Sequence, residues 1–286
     1  MTADKVLYRR VGRVATITLN RPEVLNAIDA DVPGMLADAV ARAGADDAVH
    51  VIVLEGSGPA FCAGYDLTYY TVGDGAGATQ EMPWDPLKDY AFMSANTEKF
   101  MTLWHSPKPT IAKVHGHAVA GGSDIALCCD FVVMAEDANI GYMPARVWGC
   151  PTTAMWTYRL GPEQAKRMLL TGDKITGREA ADIGLILKAV PAEELDDAVN
   201  QLAKRMETVP KNQLMMQKMV INQVVEAMGL AQTQRLATIF DGITRHSPEG
   251  VNFLGRANEF GWKQAVAERD QGTFDWTSKR PLPDNE

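Results

Sequence analysis

The sequence lacks several features that would mark a secreted, membrane-spanning or disulfide-linked protein. Among its 286 residues there are only four cysteines, none in a C-x-x-C spacing and two of them adjacent, at Cys128 and Cys129. This usage favours reduced, buried thiols over a disulfide framework. No run approaches the roughly 18 consecutive apolar residues of a membrane span, and residues 1–10 lack the apolar region of a signal peptide. We therefore expect a cytoplasmic protein without a membrane partner.

Basic charge is also in short supply. The chain carries 28 Lys and Arg residues against 36 Asp and Glu residues, which gives a net charge of −8. Attraction to nucleic-acid phosphates requires a basic surface, so this balance argues against a nucleic-acid partner. The sequence contains no G-x-x-x-x-G-K-[ST] phosphate loop and no cluster with metal-ligand spacing, and we predict no metal site.

The sequence does contain ample core-forming material, with 46% hydrophobic and 22% charged residues, which is typical of a globular protein. Strand and helix patterns alternate in the first part of the chain and predict an α/β fold. Beyond Pro191 only helical periodicity is present, so we predict an α/β core in residues 1–205 and a helical region in residues 206–286. The predicted strands are Val14–Leu19, Val49–Leu54, Thr110–Val114 and Phe131–Ala135, and a further strand and turn are predicted for Asn139–Arg146. The predicted helices are Pro33–Arg42, Lys88–Trp104, Glu163–Leu170, Thr176–Leu185, Ala192–Met206, Gln213–Asp241 and Ser247–Arg269, and the last stretch, Gly272–Glu286, is expected to lie extended over the surface.

The segment Val114–Asp130 carries the strongest indication of chemistry. Its sequence predicts a short glycine-bearing loop after the strand Thr110–Val114, and then a helix that opens at Gly121-Gly122. The first amide groups of a helix have no partner within it and lie at the positive end of its dipole. They can hold an anion, or an oxygen that becomes negative during a reaction. Asp124 follows one turn later, where it is either a proton carrier beside that oxygen or a structural first-turn carboxylate.

A second turn, Phe61–Leu67, has the composition of a backbone that approaches a ligand closely. Gly64 permits a positive φ there, although a tight turn before a helix explains the same residues equally well. Asp66 in this turn is more typical of a local cap than of a base. The small, polar stretch Gly73–Gln80 predicts a loop that serves as a lid or is a tolerated insertion.

Four ordered motifs resemble the crotonase, or enoyl-CoA hydratase/isomerase, superfamily. They are I-T-L-N-R-P-x-x-L-N-A from Ile17, F-C-A-G-x-D-L from Phe61, G-x-A-x-A-G-G from Gly116 and C-D-F from Cys129. The later segments R-L-G-P-E-Q-A-K-R-M-L-L-T-G and A-D-I-G-L-I extend the match to about residue 190. The resemblance implies a crotonase-like spiral of ββα repeats, followed by a C-terminal helical region that is used for trimerisation. It also implies an acyl-CoA thioester substrate, no permanently bound cofactor other than the coenzyme A of that substrate, and a homotrimer or dimer of trimers.

Carried over by position, the resemblance also implies the residues of the site. The backbone N–H groups of Tyr65 and Gly121 hold the thioester oxygen, and Asp124 takes the place of the first of two catalytic glutamates. The position of the second glutamate is Ala145, which cannot carry a proton. The implied substrate-binding residues are Leu25, Ala27, Ala63, Asp66, Leu67 and Pro144.

The alanine at position 145 bears on the type of reaction. Hydratases of this family use two carboxylates to add water, whereas a 1,3-proton shift requires one base that takes a proton and returns it. We therefore favour double-bond isomerisation over three alternatives: a hydratase, a CoA-thioester hydrolase that uses the same oxyanion site or Ser123, and a weakened acyl-CoA-binding protein. His117 is a reserve base. The polar side chains near the alanine that could replace the glutamate are Tyr142, Arg146 and Trp148.

Overall fold

The computed structural model of the protein describes residues 4–71, 80 and 83–282. The loop predicted at Gly73–Gln80 lies outside these residues, except for Gln80. The strands of the described chain, β1 to β11 in order, are Val6–Val11, Val14–Leu19, Val51–Gly56, Thr110–Val114, His117–Val119, Phe131–Ala135, Asn139–Gly141, Lys174–Thr176, Lys188–Val190, Phe274–Asp275 and Arg280–Pro281. Its α-helices, α1 to α11 in order, are Val32–Ala45, Leu67–Thr71, Pro86–His105, Gly121–Leu127, Met155–Thr171, Gly177–Asp182, Leu195–Glu207, Lys211–Ala227, Leu230–His246, Pro248–Phe260 and Trp262–Gln271. Short 3₁₀ helices cover Pro22–Val24, Met143–Arg146 and Ala192–Glu194.

The chain alternates between two sheets. The larger sheet contains six strands in the order β1-β2-β3-β4-β6-β9, parallel except for the antiparallel pair β1–β2. The smaller sheet contains β5, β7 and β8, of which β5 and β7 are parallel. The chain therefore passes from β4 to β5 and then α4, and again from β6 to β7 and on to α5. One strand in each sheet followed by a helix is the ββα repeat that the sequence resemblance implies.

The larger sheet is buried because its strands are apolar where other elements cover them. In β2 the alternate residues Ala15, Ile17 and Leu19 are at most 1% exposed, and the first four residues of β3 are all buried. Near-continuous apolar runs are typical of parallel strands that are covered on both faces. The structure confirms the predicted bounds of β2, β4 and β6, and β3 begins and ends two residues later than predicted.

Glycines divide two of the predicted helices. The predicted helix Gln213–Asp241 consists of α8 and α9, which are separated at Gly229, with a φ of 92°. The predicted helix Ser247–Arg269 consists of α10 and α11, which are separated at Gly261, with a φ of 88°. A left-handed glycine ends a helix even where the apolar periodicity continues through it. Both predictions of a single long helix are therefore wrong.

The last described residues are anchored, in contrast to the predicted extended tail. Strands β10 and β11 pair in a small antiparallel hairpin. The side chain of Phe274 is only 7% exposed and its ring lies 4.7 Å from that of Trp276. The ring of Trp276 also lies 5.3 Å from that of Phe253 on α10. Aromatic packing of this kind buries a large apolar area, and the contact with Phe253 attaches this stretch to the helical region.

Helix α9 has two faces with different surroundings. Gln234, Thr238, Asp241 and Arg245 share one face because of their helical spacing, and the last three are 3–5% exposed. This face meets α3, where Arg245 pairs with Asp89 at 2.5 Å. No helix of the described chain is both long enough and apolar enough to cross a membrane. The large apolar residues exposed on α8 and on the opposite face of α9 are Met216, Met219, Val220, Ile221, Val224, Leu236, Ile239, Phe240 and Ile243.

Candidate active site

The start of helix α4 depends on glycine. Ala120 precedes the helix with φ 51° and ψ −128°, a conformation that is unfavourable for a residue with a side chain. Gly121 and Gly122 open the helix, and a Cβ on Gly122 would lie 2.2 Å from the carbonyl oxygen of Cys62. Only glycine allows this approach. The helix start predicted from sequence is thus confirmed, and it brings α4 against the turn at residues 61–66.

The turn at residues 61–66 runs alongside β5. Backbone hydrogen bonds of 2.8 and 3.1 Å join Cys62 to β5. Gly64 has a φ of +91°, as its predicted role requires, and a Cβ on it would lie 3.2 Å from the backbone nitrogen of Gly121. A Cβ on Gly121 would in turn lie 3.1 Å from the ring of Tyr65. The backbones of Tyr65 and Gly121 are therefore neighbours.

Two backbone N–H groups at this junction have no acceptor among the described residues. Within the described chain, neither the Tyr65 amide nor the Gly121 amide donates to a protein acceptor. Gly121 is the first residue of α4, whose first N–H groups have no partner inside the helix. Tyr65 pairs with Ile28 in an isolated bridge whose hydrogen bonds, of 2.8 and 2.9 Å, use the amides of Ile28 and Asp66 instead. Two adjacent donors of this kind can stabilise one negatively charged oxygen.

Asp124 is a buried carboxyl group three residues after Gly121, with an exposed fraction of 4%. Thr153 donates a hydrogen bond from its Oγ1 to Asp124 Oδ1 at 2.6 Å, and no described residue donates to Oδ2. Burial raises the pKa of Asp124 to about 7; the bond from Thr153 lowers it and the charge of Asp241 raises it. A carboxyl group with a pKa near neutrality can accept a proton and return it at pH 7.

The position of the expected second carboxylate is apolar. Ala145 lies in the 3₁₀ helix Met143–Arg146 and packs, half-buried, against the main core. Tyr142, at the start of that helix, is 6% exposed. Burial, and after it the charge of Asp124, raises the pKa of the Tyr142 hydroxyl well above its ordinary value. Tyr142 therefore lies within electrostatic range of Asp124, but it stays protonated at neutral pH.

The other two side chains considered as replacements have structural partners. Arg146 is exposed and donates to the carbonyl oxygen of Thr171 at 2.7 Å. Trp148 is buried, and its ring packs 5.3 Å from that of Phe253 on α10. Their described contacts do not include Asp124.

Asp66 holds the turn together. Its Oδ1 accepts a hydrogen bond from the Tyr69 amide at 3.1 Å, which confirms the predicted cap at the start of α2. Its Oδ2 pairs with Arg21 at 3.0 Å. Arg21 also donates to the carbonyl oxygen of Ala27 at 2.5 Å. Both carboxylate oxygens of Asp66 are therefore engaged within the protein.

The other predicted substrate-binding residues surround this turn. Leu25 is 38% exposed, and its carbonyl oxygen accepts from the Ala63 amide at 3.0 Å. Ala27 is buried, and Ala63, Leu67 and Pro144 are half-buried. Leu67 begins α2 and packs against a smaller apolar cluster that includes residues of α10 and α11. The structure thus brings Leu25, Ala27 and Ala63 to the turn that carries Tyr65, whereas Leu67 and Pro144 lie on adjoining segments.

Two other candidate groups make no hydrogen bond to Asp124 in the described chain. His117 is half-buried on β5, and burial followed by the charge of Lys174 lowers its pKa. Ser123 is fully buried, and its hydroxyl donates to the carbonyl oxygen of Ala120 at 2.7 Å. The hydroxyl of Ser123 is thus occupied at the start of α4.

Metal and thiol chemistry have no visible site among the described residues. They contain no group of three His, Cys, Asp or Glu side chains placed to hold a metal ion. All four cysteines are free, as predicted. Burial raises the pKa of the Cys62 and Cys150 thiols to about 12, so both are protonated at neutral pH.

Sequence reasoning missed two residues that act on Asp124. Thr153 lies 29 positions further along the chain, in a loop that no motif marks. Asp241 lies on α9, where its Oδ1 accepts from the Cys150 amide at 3.0 Å. The sequence indicates a role for Asp241 only through Arg245, an oppositely charged residue four positions later. That spacing is more typical of an exposed helical pair.

Comparison with known proteins gives a consistent result. The family model described as enoyl-CoA hydratase/isomerase matches residues 9–264. A crystal structure of an enoyl-CoA hydratase from Mycobacterium smegmatis is 45% identical, covers 94% of each chain and has a TM-score of 0.89. That of an enoyl-CoA hydratase/isomerase from Xanthobacter autotrophicus Py2 is 30% identical, with a TM-score of 0.86, and covers 95% of this chain and 99% of its own. The crotonyl-CoA hydratase of Syntrophomonas wolfei is 32% identical over 72% of this chain and 76% of its own. These likenesses confirm the predicted crotonase-like α/β fold, and the chain belongs to the enoyl-CoA hydratase/isomerase family of the crotonase superfamily, enzymes that act on acyl-CoA thioesters.

Proposed function

We propose that the chain is a double-bond isomerase of acyl-CoA thioesters that works through an enolate. The observation that carries the proposal is that Asp124, a buried carboxyl group with a pKa of about 7, has Ala145 at the position of its expected partner. A 1,3-shift needs one group that accepts a proton and donates it again. A pKa near neutrality makes both forms available at pH 7.

In this proposal the amides of Tyr65 and Gly121 hold the thioester oxygen. That oxygen gains negative charge as a proton leaves the neighbouring carbon, and two preorganised donors at the start of α4 stabilise the charge. Loss of one such donor typically lowers kcat by about 10²–10³. The donors belong to the backbone, so Gly64 and Gly121 control their placement through the close approaches described above.

The proposed reaction moves one proton. Asp124 Oδ2 removes the proton from C2 of a 3-enoyl thioester, and the electron pair of the broken C–H bond passes into a dienolate whose charge lies on the thioester oxygen. The protonated Asp124 then donates to C4. The dienolate electrons re-form the C=O bond, the double bond is left between C2 and C3, and no water or oxidant is consumed.

Hydration is the second candidate, because the 45% identical structure from Mycobacterium smegmatis is described as an enoyl-CoA hydratase. In that reaction Asp124 has to deprotonate water and also supply the proton for C2. Tyr142 cannot act as a base at neutral pH, because burial raises its pKa well above the ordinary value. We therefore expect hydration to be the slower reaction.

The substrate and the assembly are part of the same proposal. The apolar residues exposed on α8 and α9 form a surface of the kind that marks protein association, which supports a homotrimer or dimer of trimers built through residues 206–286. The acyl-CoA is proposed to lie along Leu25, Ala27, Ala63, Asp66, Leu67 and Pro144, with Asp66 acting through the turn that it holds.

A screen of Δ2-, Δ3- and dienoyl-CoA thioesters separates the candidates. We expect a 3-enoyl-CoA to change its ultraviolet absorbance without a change in mass, and this activity to be lost in Asp124→Asn. The matched control is Asp182→Asn, a change at an exposed carboxylate on α6, which should retain it. A gain of one water in mass at a higher rate than isomerisation would reject the isomerase. Tight binding with no turnover of any thioester would favour a binding protein.

A further inference from the structure

The segment Gly149–Thr153 leads into α5 and carries the hydroxyl that contacts Asp124. It lies between two non-glycine residues with positive φ, Trp148 at 81° and Ala154 at 58°. Such conformations are unfavourable for residues with a side chain, and they persist where surrounding contacts hold them. Contacts with other elements of the chain therefore maintain the conformation of this segment.

One of the outside contacts is a buried carboxylate on α9. Asp241 accepts from the amide of Cys150 at 3.0 Å. Asp241 is itself paired with Arg245, which also pairs with Asp89 on α3 at 2.5 Å. All three charged side chains are at most 6% exposed, so the anchor is rigid and buried.

At the end of the segment, Thr97 on α3 donates from its hydroxyl to that of Thr152 at 2.6 Å, a contact that does not involve Thr153. Gln234 on α9 donates from Nε2 to the carbonyl oxygen of Thr153 at 2.9 Å. A helix of the C-terminal region thus fixes the backbone of Thr153, and the Thr153 hydroxyl donates to Asp124.

We propose that Thr153 is a positioning residue that gives the two oxygens of Asp124 separate tasks, Oδ1 being held by the hydroxyl and Oδ2 carrying the transferred proton; this rests on the proposed function. Threonine is β-branched and has few χ1 rotamers. With its backbone tied to Gln234, its hydroxyl has few positions from which to donate, and the one observed directs it to Asp124 Oδ1. The short side chain of Asp124 then presents one oxygen to the substrate in a fixed place, which is the geometry that rapid proton transfer requires.

Few other charged groups influence the pKa of Asp124. Asp241 faces it from α9, and the charge of Asp241 is partly offset by Arg245. The pKa values of the neutral groups around Asp124 are raised, chiefly by burial, so these groups stay uncharged near pH 7. They are Tyr65, Cys128, Tyr142 and Cys150.

The test compares Thr153→Val with Thr153→Ser and Thr152→Val. Valine keeps the shape of threonine without the hydroxyl, and serine restores the hydroxyl. Thr152 is the matched control, since it is an adjacent buried threonine whose hydroxyl contacts Thr97 instead of Asp124. The readouts are the pH dependence of kcat on a 3-enoyl-CoA and, without substrate, the titration of the Asp124 carboxyl carbon by ¹³C NMR.

The hydrogen bond from Thr153 lowers the pKa of Asp124, so its removal should move both titrations to higher pH. We expect kcat of Thr153→Val at pH 7 to fall about tenfold, since a hydrogen bond to a charged group is lost. Thr153→Ser should restore the wild-type profile, and Thr152→Val should leave both midpoints in place.

Unchanged midpoints in Thr153→Val would overturn the proposal, even if the wild-type protein is an active isomerase. A lower kcat without a shift in either titration would also overturn it, because that is the result of a purely structural role. If the wild-type protein does not isomerise, the proposed function fails, while the NMR titration still decides the role of Thr153. Should Thr153→Val not fold, Thr153→Ala takes its place in the same comparison.

Discussion

Replacement of Gly64 by alanine tests the two backbone donors without changing any side chain that takes part in the chemistry. A Cβ on Gly64 would lie 2.7 Å from the Cβ of Ala120, 3.0 Å from the carbonyl oxygen of Val119 and 3.2 Å from the nitrogen of Gly121. The first distance is shorter than real Cβ atoms show, and the other two are tighter than most real contacts, so the turn must move away from the start of α4. That movement separates the amides of Tyr65 and Gly121.

Two energetic effects are expected from Gly64→Ala. The positive φ costs alanine about 1–2 kcal/mol, and the overlap costs about 1–3 kcal/mol more. Loss of one donor lowers kcat by about 10²–10³, so kcat/KM for a 3-enoyl-CoA should fall by about 100-fold or more. Gly184→Ala is the matched control, because Gly184 has a φ of +77° and no atom lies within 4 Å of its Cβ position. Gly184→Ala should lower the free energy of unfolding only by the cost of the positive φ, and it should keep its activity.

Urea unfolding gives the free energy of unfolding of both variants, and the ultraviolet assay gives kcat/KM. A folded Gly64→Ala protein that isomerises within about threefold of wild type would refute the assignment of these amides. If instead Gly184→Ala lost as much activity as Gly64→Ala, general backbone strain would explain both results.

Asp124 and Ala145 can be tested directly. Asp124→Ala should lower kcat by about 10²–10⁴, and a loss of less than about threefold would remove Asp124 from the mechanism. Because burial raises its pKa from 3.8 to about 7, ionisation of Asp124 opposes folding increasingly as the pH rises between these values. Asp124→Asn should therefore increase the free energy of unfolding more at pH 8 than at pH 4, as urea titration would show, and an equal effect at both would contradict the shift. Ala145→Glu should increase the hydration of crotonyl-CoA, measured as a gain in mass. No increase would mean that the missing carboxylate does not limit that reaction.

The parts of the site that depend on glycine were predictable from the sequence. Gly64 and Gly121-Gly122 are needed because the backbone approaches itself so closely that a Cβ would overlap other atoms. Such a requirement leaves a visible mark in the sequence. The order of the motifs around these glycines then predicted the fold, and the comparisons confirmed the family.

The residues that contact or influence Asp124 from distant positions in the sequence were not predictable in this way. The contact between Thr153 and Asp124 joins positions 29 apart, and that between Cys150 and Asp241 joins positions 91 apart. Thr153 is an ordinary loop residue in the sequence, and the pair Asp241 and Arg245, four positions apart on a helix, is equally common. These contacts follow from the packing of elements that are distant in the sequence, which periodicity does not determine.

Length explains the missed three-residue strands, and continuity of pattern explains the missed helix ends. Strands β5, β8 and β9 have three residues each, too few for an alternating pattern to be recognised. In the helical region the apolar spacing continues across Gly229, although a left-handed glycine at that position ends the helix. Periodicity reports which face is buried and is insensitive to a local change in φ.

The two faces of α9 would connect the proposed assembly of the protein with its proposed chemistry. The inner face bonds to the segment beside Asp124 through Gln234 and Asp241. The outer face exposes Leu236 and Ile243, at 52% and 41%. In the proposed trimer, a subunit contact made or lost on the outer face would change the stability of a helix that holds the segment beside Asp124. Assembly and the proposed proton transfer would then share a coupling free energy. Dilution of the enzyme would then reduce its specific activity, and a ligand bound at Asp124 would favour the assembled state to the same extent.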